Sequence, residues 1–100
     1  MSKGYWIARF AVNDQAKYDA YRAVNGEAFR KYGARFLVRS GVFEQRVGES
    51  KPRNVVIEFP TYQAALDCYH SPEYRKALAA RSDAIEGDII IIEGYDGPQP

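Results

Sequence analysis

Apolar residues recur along this chain with two different periods, and the places where the period changes mark its elements. Residues 5–12, YWIARFAV, alternate so that Trp6, Ala8, Phe10 and Val12 share one face and Tyr5, Ile7, Arg9 and Ala11 the other, which predicts a strand. Asn13 and Asp14 carry turn and cap chemistry. Residues 15–32 then place Tyr18, Tyr21, Ala28, Phe29 and Tyr32 along a helical stripe. Asn25 falls on that stripe and Gly26 follows it. A glycine inside a helix costs about 1 kcal/mol relative to alanine, so this point is expected to be either a packing kink or a polar group aimed into a pocket. Gly33 ends the helix by permitting a left-handed backbone. Residues 35–47 read as a second strand, with Phe36 and Val38 opposed to Leu37 and Arg39 and a bulge expected at Ser40-Gly41. The polar loop 48–53, GESKPR, leads into a third strand at 54–59.

The stretch 54–78, NVVIEFPTYQAALDCYHSPEYRKAL, is the most informative. Val55, Ile57 and Phe59 form one strand face, and Pro60 removes a donor so that the ladder stops there. Thr61 is placed to cap a helix beginning at Tyr62, with Tyr62, Ala65, Leu66 and Tyr69 as its stripe. Ser71-Pro72-Glu73 repeats the start signal, so the helix is expected to break across residues 70–72 and restart, carrying Tyr74, Ala77, Leu78 and Ile85 inward. Glu86-Gly87-Asp88 turns into a fourth strand at 89–93. The order strand, helix, strand, strand, helix, strand predicts an α+β ferredoxin-like βαββαβ sandwich, a four-stranded antiparallel sheet with its helices on one face. A single domain is expected over residues 1–96, with 97–100 as a flexible tail.

Composition narrows the partners. The chain has 14 basic and 13 acidic residues in 100, net +1, with no basic stripe, which disfavours nucleic acid. Its one cysteine, Cys68, cannot close an internal disulfide, and no Cys and His cluster has metal-ligand spacing, so neither a metal nor another cofactor is expected. The start, MSKGYWIARF, lacks a signal-peptide pattern, and the apolar run 89–92 is far short of the ~20 residues of a membrane span. These features read as a reduced, cytoplasmic protein with no membrane partner.

Sorting the strands by parity gives an inner face of Trp6, Ala8, Phe10, Phe36, Val38, Val55, Ile57, Phe59, Ile90 and Ile92. The outer face then carries Tyr5, Ile7, Arg9, Leu37, Arg39, Val56, Glu58, Ile89, Ile91 and Glu93. So much apolar area is too large to leave in water, and a homodimer through this sheet face is expected.

The segments GYWIARF, YGARFLVRSG, NVVIEFPTYQAALDCYHSPEYRKAL and IIIIEGYD resemble the family known as domain of unknown function 1330, in the dimeric α+β barrel superfamily. The resemblance extends over nearly the whole chain, and the pairing of VIEFP with CYHSPEY is specific. It implies a ferredoxin-like fold and two sheets packed face to face. The family brings no established reaction. Its superfamily includes cofactor-free monooxygenases, lactone isomerases, haem proteins resembling chlorite dismutase and stress-responsive barrels, among which fold analogy does not choose.

Three residues are candidates for chemistry. Arg39 and Glu58, on adjacent strands, would hold an anionic group and move a proton, or form a structural ion pair at the dimer interface. His70 would act as a general base at a cleft mouth, or cap a helix end in solvent. Trp6, Tyr18, Tyr21, Tyr69 and Tyr74 would line an aromatic substrate pocket, or simply fill the core. Cys68 has no positive neighbour on its helix and reads as an inert thiol. No GxSxG, phosphate loop, dinucleotide fingerprint or HExxH is present. The expectation is a homodimer that binds a small, partly apolar and anionic metabolite, with cofactor-free proton transfer or oxygenation as the chemistry to test. A non-catalytic ligand sensor or assembly module is the competing expectation.

Overall fold

The computed structural model describes residues 2–49 and 51–100. Strand β1 (Gly4–Val12) is followed by helix α1 (Gln15–Lys31), strands β2 (Arg35–Arg39) and β3 (Arg53–Phe59), helices α2 (Tyr62–His70) and α3 (Pro72–Arg81), and strand β4 (Ile85–Glu93). The strands form one sheet in the order β2-β3-β1-β4, and all three neighbouring pairs are antiparallel. This is the ferredoxin-like arrangement expected from the element order, with the second helical segment split in two.

Local chemistry accounts for the helix ends. Asp14 accepts from the Lys17 amide at 3.1 Å and Thr61 from the Ala64 amide at 3.0 Å, each satisfying an orphan donor of a first turn. Ser71 serves both helices that meet at it. Its hydroxyl donates to the Cys68 carbonyl at 2.7 Å and accepts from the Tyr74 amide at 3.1 Å, while Pro72 opens α3 where no amide is needed. Gly33, at φ 74°, supplies the left-handed residue that releases the chain from α1.

The helices cover one sheet face over a core of Trp6, Phe29, Phe59, Ala65, Cys68, Tyr74 and Ala77. Trp6 is its hub. The indole N–H donates to the Ala65 carbonyl at 2.9 Å, and the rings of Phe29, Phe59, Tyr69 and Tyr74 surround it at 4.9–5.6 Å between centroids.

Several boundaries and faces differ from the sequence reading. Strand β2 stops at Arg39 instead of running to residue 47, and Ser40 takes a positive φ of 55°. The irregularity in its pairing lies earlier, between Phe36 and Val38. That extra residue turns Val38 outward, opposite Val56, and Arg39 inward, opposite Val55. Strand β4 begins at Ile85, so Ile85 belongs to the sheet and not to the helix. Because Trp6 pairs with Ile91 and Ala8 with Ile89, it is Ile89 and Ile91 that face the helices, and Ile90 and Ile92 that are exposed. A run of four isoleucines has no parity of its own, so only pairing with β1 sets its faces. Helix α1 runs without interruption through Asn25 and Gly26, and Asn25 is buried.

Candidate functional site

Between the inner sheet face and helices α1 and α3 lies a cavity of about 280 Å³. This is near the lower end of the roughly 300–1,000 Å³ common for small-ligand sites. The sheet contributes Trp6, Ala8, Phe10, Phe36, Val55, Ile57, Ile85 and Ile89, and the helices contribute Tyr18, Tyr21, Phe29 and Tyr74. Four arginines complete the wall: Arg22 from α1, Arg39 from β2, Arg53 from β3 and Arg81 from the last turn of α3. Among the described residues lining the cavity there is no Asp, Glu, His, Lys or Cys.

Aromatic faces hold three of the guanidinium groups in place. Arg39 lies 4.3 Å over the Phe36 ring, Arg53 5.0 Å over Tyr18 and Arg81 5.4 Å over Tyr21. Among the described residues, none of the four arginines is in an ion pair with a carboxylate.

Of the neutral polar lining residues, Tyr18, Tyr21, Asn25 and Tyr74 come from the helices and Ser40 from the position after β2. The hydroxyls of Tyr21 and Tyr74 are 2.8 Å apart. Burial pushes the Tyr74 hydroxyl far above its ordinary range, reinforced by the neighbouring Tyr21. Burial also raises Tyr21, against the lowering effect of its hydrogen bonds to Tyr74 and Asn25 and of the Arg81 charge. Both phenols therefore stay protonated at neutral pH. They can offer hydrogen bonds to a ligand oxygen but are poor bases.

The structure separates residues that the sequence reading joined. Arg39 lines the cavity, whereas Glu58 lies on the opposite sheet face, where Arg35 is its partner across β2 and β3. Lys3 and the Tyr5 hydroxyl donate to Glu58 at 3.4 and 3.2 Å. The inward turn of Arg39 at the irregularity in β2 is the physical reason the pair does not form. His70, the last residue of α2, is exposed and accepts from Arg75 at 3.1 Å, outside the cavity. Trp6, Tyr18 and Tyr74 stand on the wall, and Tyr69 packs behind them against Trp6 and Tyr74.

Arg22, Arg53 and Arg81 were not singled out from sequence, although two of them left a signal. Arg22 lies four residues after Tyr18, on the same side of α1. Arg53 continues the Val55, Ile57, Phe59 alternation backward by one step.

Cys68 is fully buried in the core, and burial, with a smaller contribution from the Glu73 charge, pushes its thiol up to about 12. The folded chain then holds this proton more tightly than the unfolded chain. The contribution of Cys68 to stability is intact below pH 9 and is lost as pH rises toward about 12. At pH 8 iodoacetamide is expected to leave Cys68 unmodified over hours in the native protein and to label it fully in guanidinium. Native labelling as fast as that of free cysteine would contradict the burial.

Among the described residues no group of three or more His, Cys, Asp or Glu side chains is placed to hold a metal ion. No helix among them is long and apolar enough to cross a membrane.

The chain is similar to known proteins in family and in fold. The family described as Domain of unknown function (DUF1330) matches residues 3–95. No curated protein matches the chain. A crystal structure of a protein of unknown function from Rhodopseudomonas palustris is similar at TM-score 0.78 and 16% identity, covering 96% of this chain and 85% of that one. SnoaB, a cofactor-independent oxygenase from Streptomyces nogalater, is similar at TM-score 0.60 and 13% identity, with 97% of each chain covered. A putative antibiotic biosynthesis monooxygenase from Caulobacter crescentus gives TM-score 0.56 and 16% identity, covering 98% of this chain and 92% of that one. At these identities the likeness shows the fold, a ferredoxin-like α+β sandwich of the kind found in dimeric α+β barrel proteins.

Proposed function

The chain belongs to the DUF1330 family, and from that premise we propose that each protomer binds a small organic anion with an apolar body in the cavity between sheet and helices. One observation carries this reading: an apolar, largely aromatic cavity receives four arginines and, among its described lining residues, no acid. A chain of net charge +1 has no general excess of positive charge to distribute, so the concentration of positive charge at this wall is local.

Trp6 is the chain's one tryptophan and lies on the cavity wall, so its fluorescence reports occupancy directly. Benzoate is expected to quench it at lower concentration than the uncharged, isosteric benzamide. A hydrogen bond to a charged group contributes about 1.5–3 kcal/mol, so Arg53→Gln should weaken benzoate at least roughly tenfold and leave benzamide nearly unchanged. Equal binding of the two ligands would end this reading.

A second reading, that the same cavity oxygenates its anion without a cofactor, would have to proceed without a side-chain carboxylate, imidazole or amine, since the described lining residues include none. The substrate would have to be acidic enough to ionise by itself, with the arginines holding the anion formed. SnoaB, a cofactor-independent oxygenase, shares the fold. Oxygen consumption on addition of an enolisable aromatic anion distinguishes turnover from binding, and its absence across such compounds favours the ligand-sensing alternative.

The assembly proposed is a homodimer through the open sheet face. Val38, Val56, Ile7 and Ile90 are cross-strand partners in one row over all four strands, and Val38 and Ile90 are 42% and 50% exposed. Leu37 and Ile92 extend this apolar area at 46% exposure each. A continuous apolar row with charged groups at its margins is suited to a two-fold copy of itself. Sedimentation is expected to show a dimer at micromolar concentration, and Val56→Asp a folded monomer. A wild-type monomer would remove the proposal.

A further inference from the structure

We infer that the ligand of this cavity is a dianion: a flat apolar body bearing two negative charges, as in an aryl dicarboxylate or an aryl phosphate. This rests on the anion-binding reading above and adds charge number and shape to it. The four guanidinium groups come from four different elements, so no single helix or strand accounts for their convergence.

Arg39 and Arg53 are diagonal neighbours on the inner face, since Arg39 pairs with Val55 and Arg53 lies two residues before Val55 on β3. Arg22 and Arg81 approach from the helices. A single carboxylate uses one guanidinium edge in a two-pronged bond and would leave the others repelling one another. Two negative charges, placed on two groups or on one phosphate, engage at least two arginines and offset more of that repulsion.

The mode of anchoring supports the same conclusion. The Cζ atoms of Arg39, Arg53 and Arg81 lie over aromatic rings of the wall, 4.3, 5.0 and 5.4 Å from the ring centroids. A cation–π contact occupies no carboxylate and leaves guanidinium N–H groups free to donate to a ligand. Three guanidinium groups therefore lie against rings, with no carboxylate among the described residues paired to them. The same rings, with Phe10 and Phe29, make the lining largely aromatic, which favours an aromatic and therefore planar body.

Calorimetric titration of the full chain with benzamide, benzoate, isophthalate and phenyl phosphate tests the inference. At about 0.01 M salt, where screening acts over roughly 30 Å, isophthalate or phenyl phosphate is expected to bind at least about tenfold more tightly than benzoate. At about 1 M salt, where it acts over roughly 3 Å, that gap should close. The double variant Arg39→Gln/Arg53→Gln should abolish the gap, and Arg39→Lys/Arg53→Lys, which keeps the charge, should retain part of it. If benzoate exceeds benzamide but equals both dianions, the two-charge inference falls while the anion reading stands. If no anion binds better than benzamide, both fall. The ligand series on the unaltered chain decides between these outcomes even if a variant fails to fold.

Discussion

Trp6→Ala is expected to lower stability by about 4 kcal/mol, the cost of removing a large aromatic side chain from a packed core. Domains of this size are stable by about 5–15 kcal/mol in total, so the change should remove much of the margin. The expected fall in melting temperature is roughly 15–30 °C, at about 4–8 °C per kcal/mol for a domain of up to 100 residues. The reason lies in the packing: Trp6 is 3% exposed and in ring contact with Phe29, Phe59, Tyr69 and Tyr74, so its removal leaves a void bordered by rigid rings. The hydrogen bond to the Ala65 carbonyl, which ties β1 to α2, is lost as well. Trp6→Phe keeps an aromatic ring and should cost only about 1–2 kcal/mol. Denaturant unfolding followed by circular dichroism measures both. A loss below about 1 kcal/mol for the alanine variant would show that the aromatic cluster does not hold sheet and helices together.

Gly87→Ala should destabilise by about 2–4 kcal/mol although it adds only one methyl group. Gly87 has φ 153°, and a Cβ there would lie 2.1 Å from the Arg9 carbonyl oxygen and 2.6 Å from the Phe10 Cα. Both obstacles are backbone of the paired strand, which cannot rotate aside as a side-chain tip can. Since Gly87 is the cross-strand partner of Phe10, the strain falls within the β1/β4 ladder. Ile85 and Ile89, on either side of it, line the cavity, so ligand affinity should fall together with stability. Hydrogen exchange should show faster opening of β4 amides than of the β1/β3 ladder. Uniform protection with wild-type stability would mean that the strand accepts a side chain there.

Much of the fold was readable because its signals are local. The caps at Asp14, Thr61 and Ser71 act within three residues, and the alternation 55–59 needs only its own side chains. The faces of β4 were not readable, since four successive isoleucines look alike from either side. Nor was the reversal of Val38 and Arg39, which depends on one unpaired residue in β2. The candidate site followed the same division: Trp6, Tyr18 and Tyr74 were recognisable as an aromatic set, while Arg53 read as part of a loop.

The order of elements, the helix break at Ser71 and the aromatic character of the interior were set by residue type and spacing alone, because hydrogen-bond caps and hydrophobic periods act over a few residues. Tertiary structure alone decided that Glu58 and Arg39 face opposite ways and that arginines at positions 22, 39, 53 and 81 share one cavity. Strand register and helix packing connect residues tens of positions apart, and no local pattern encodes which of their side chains will meet.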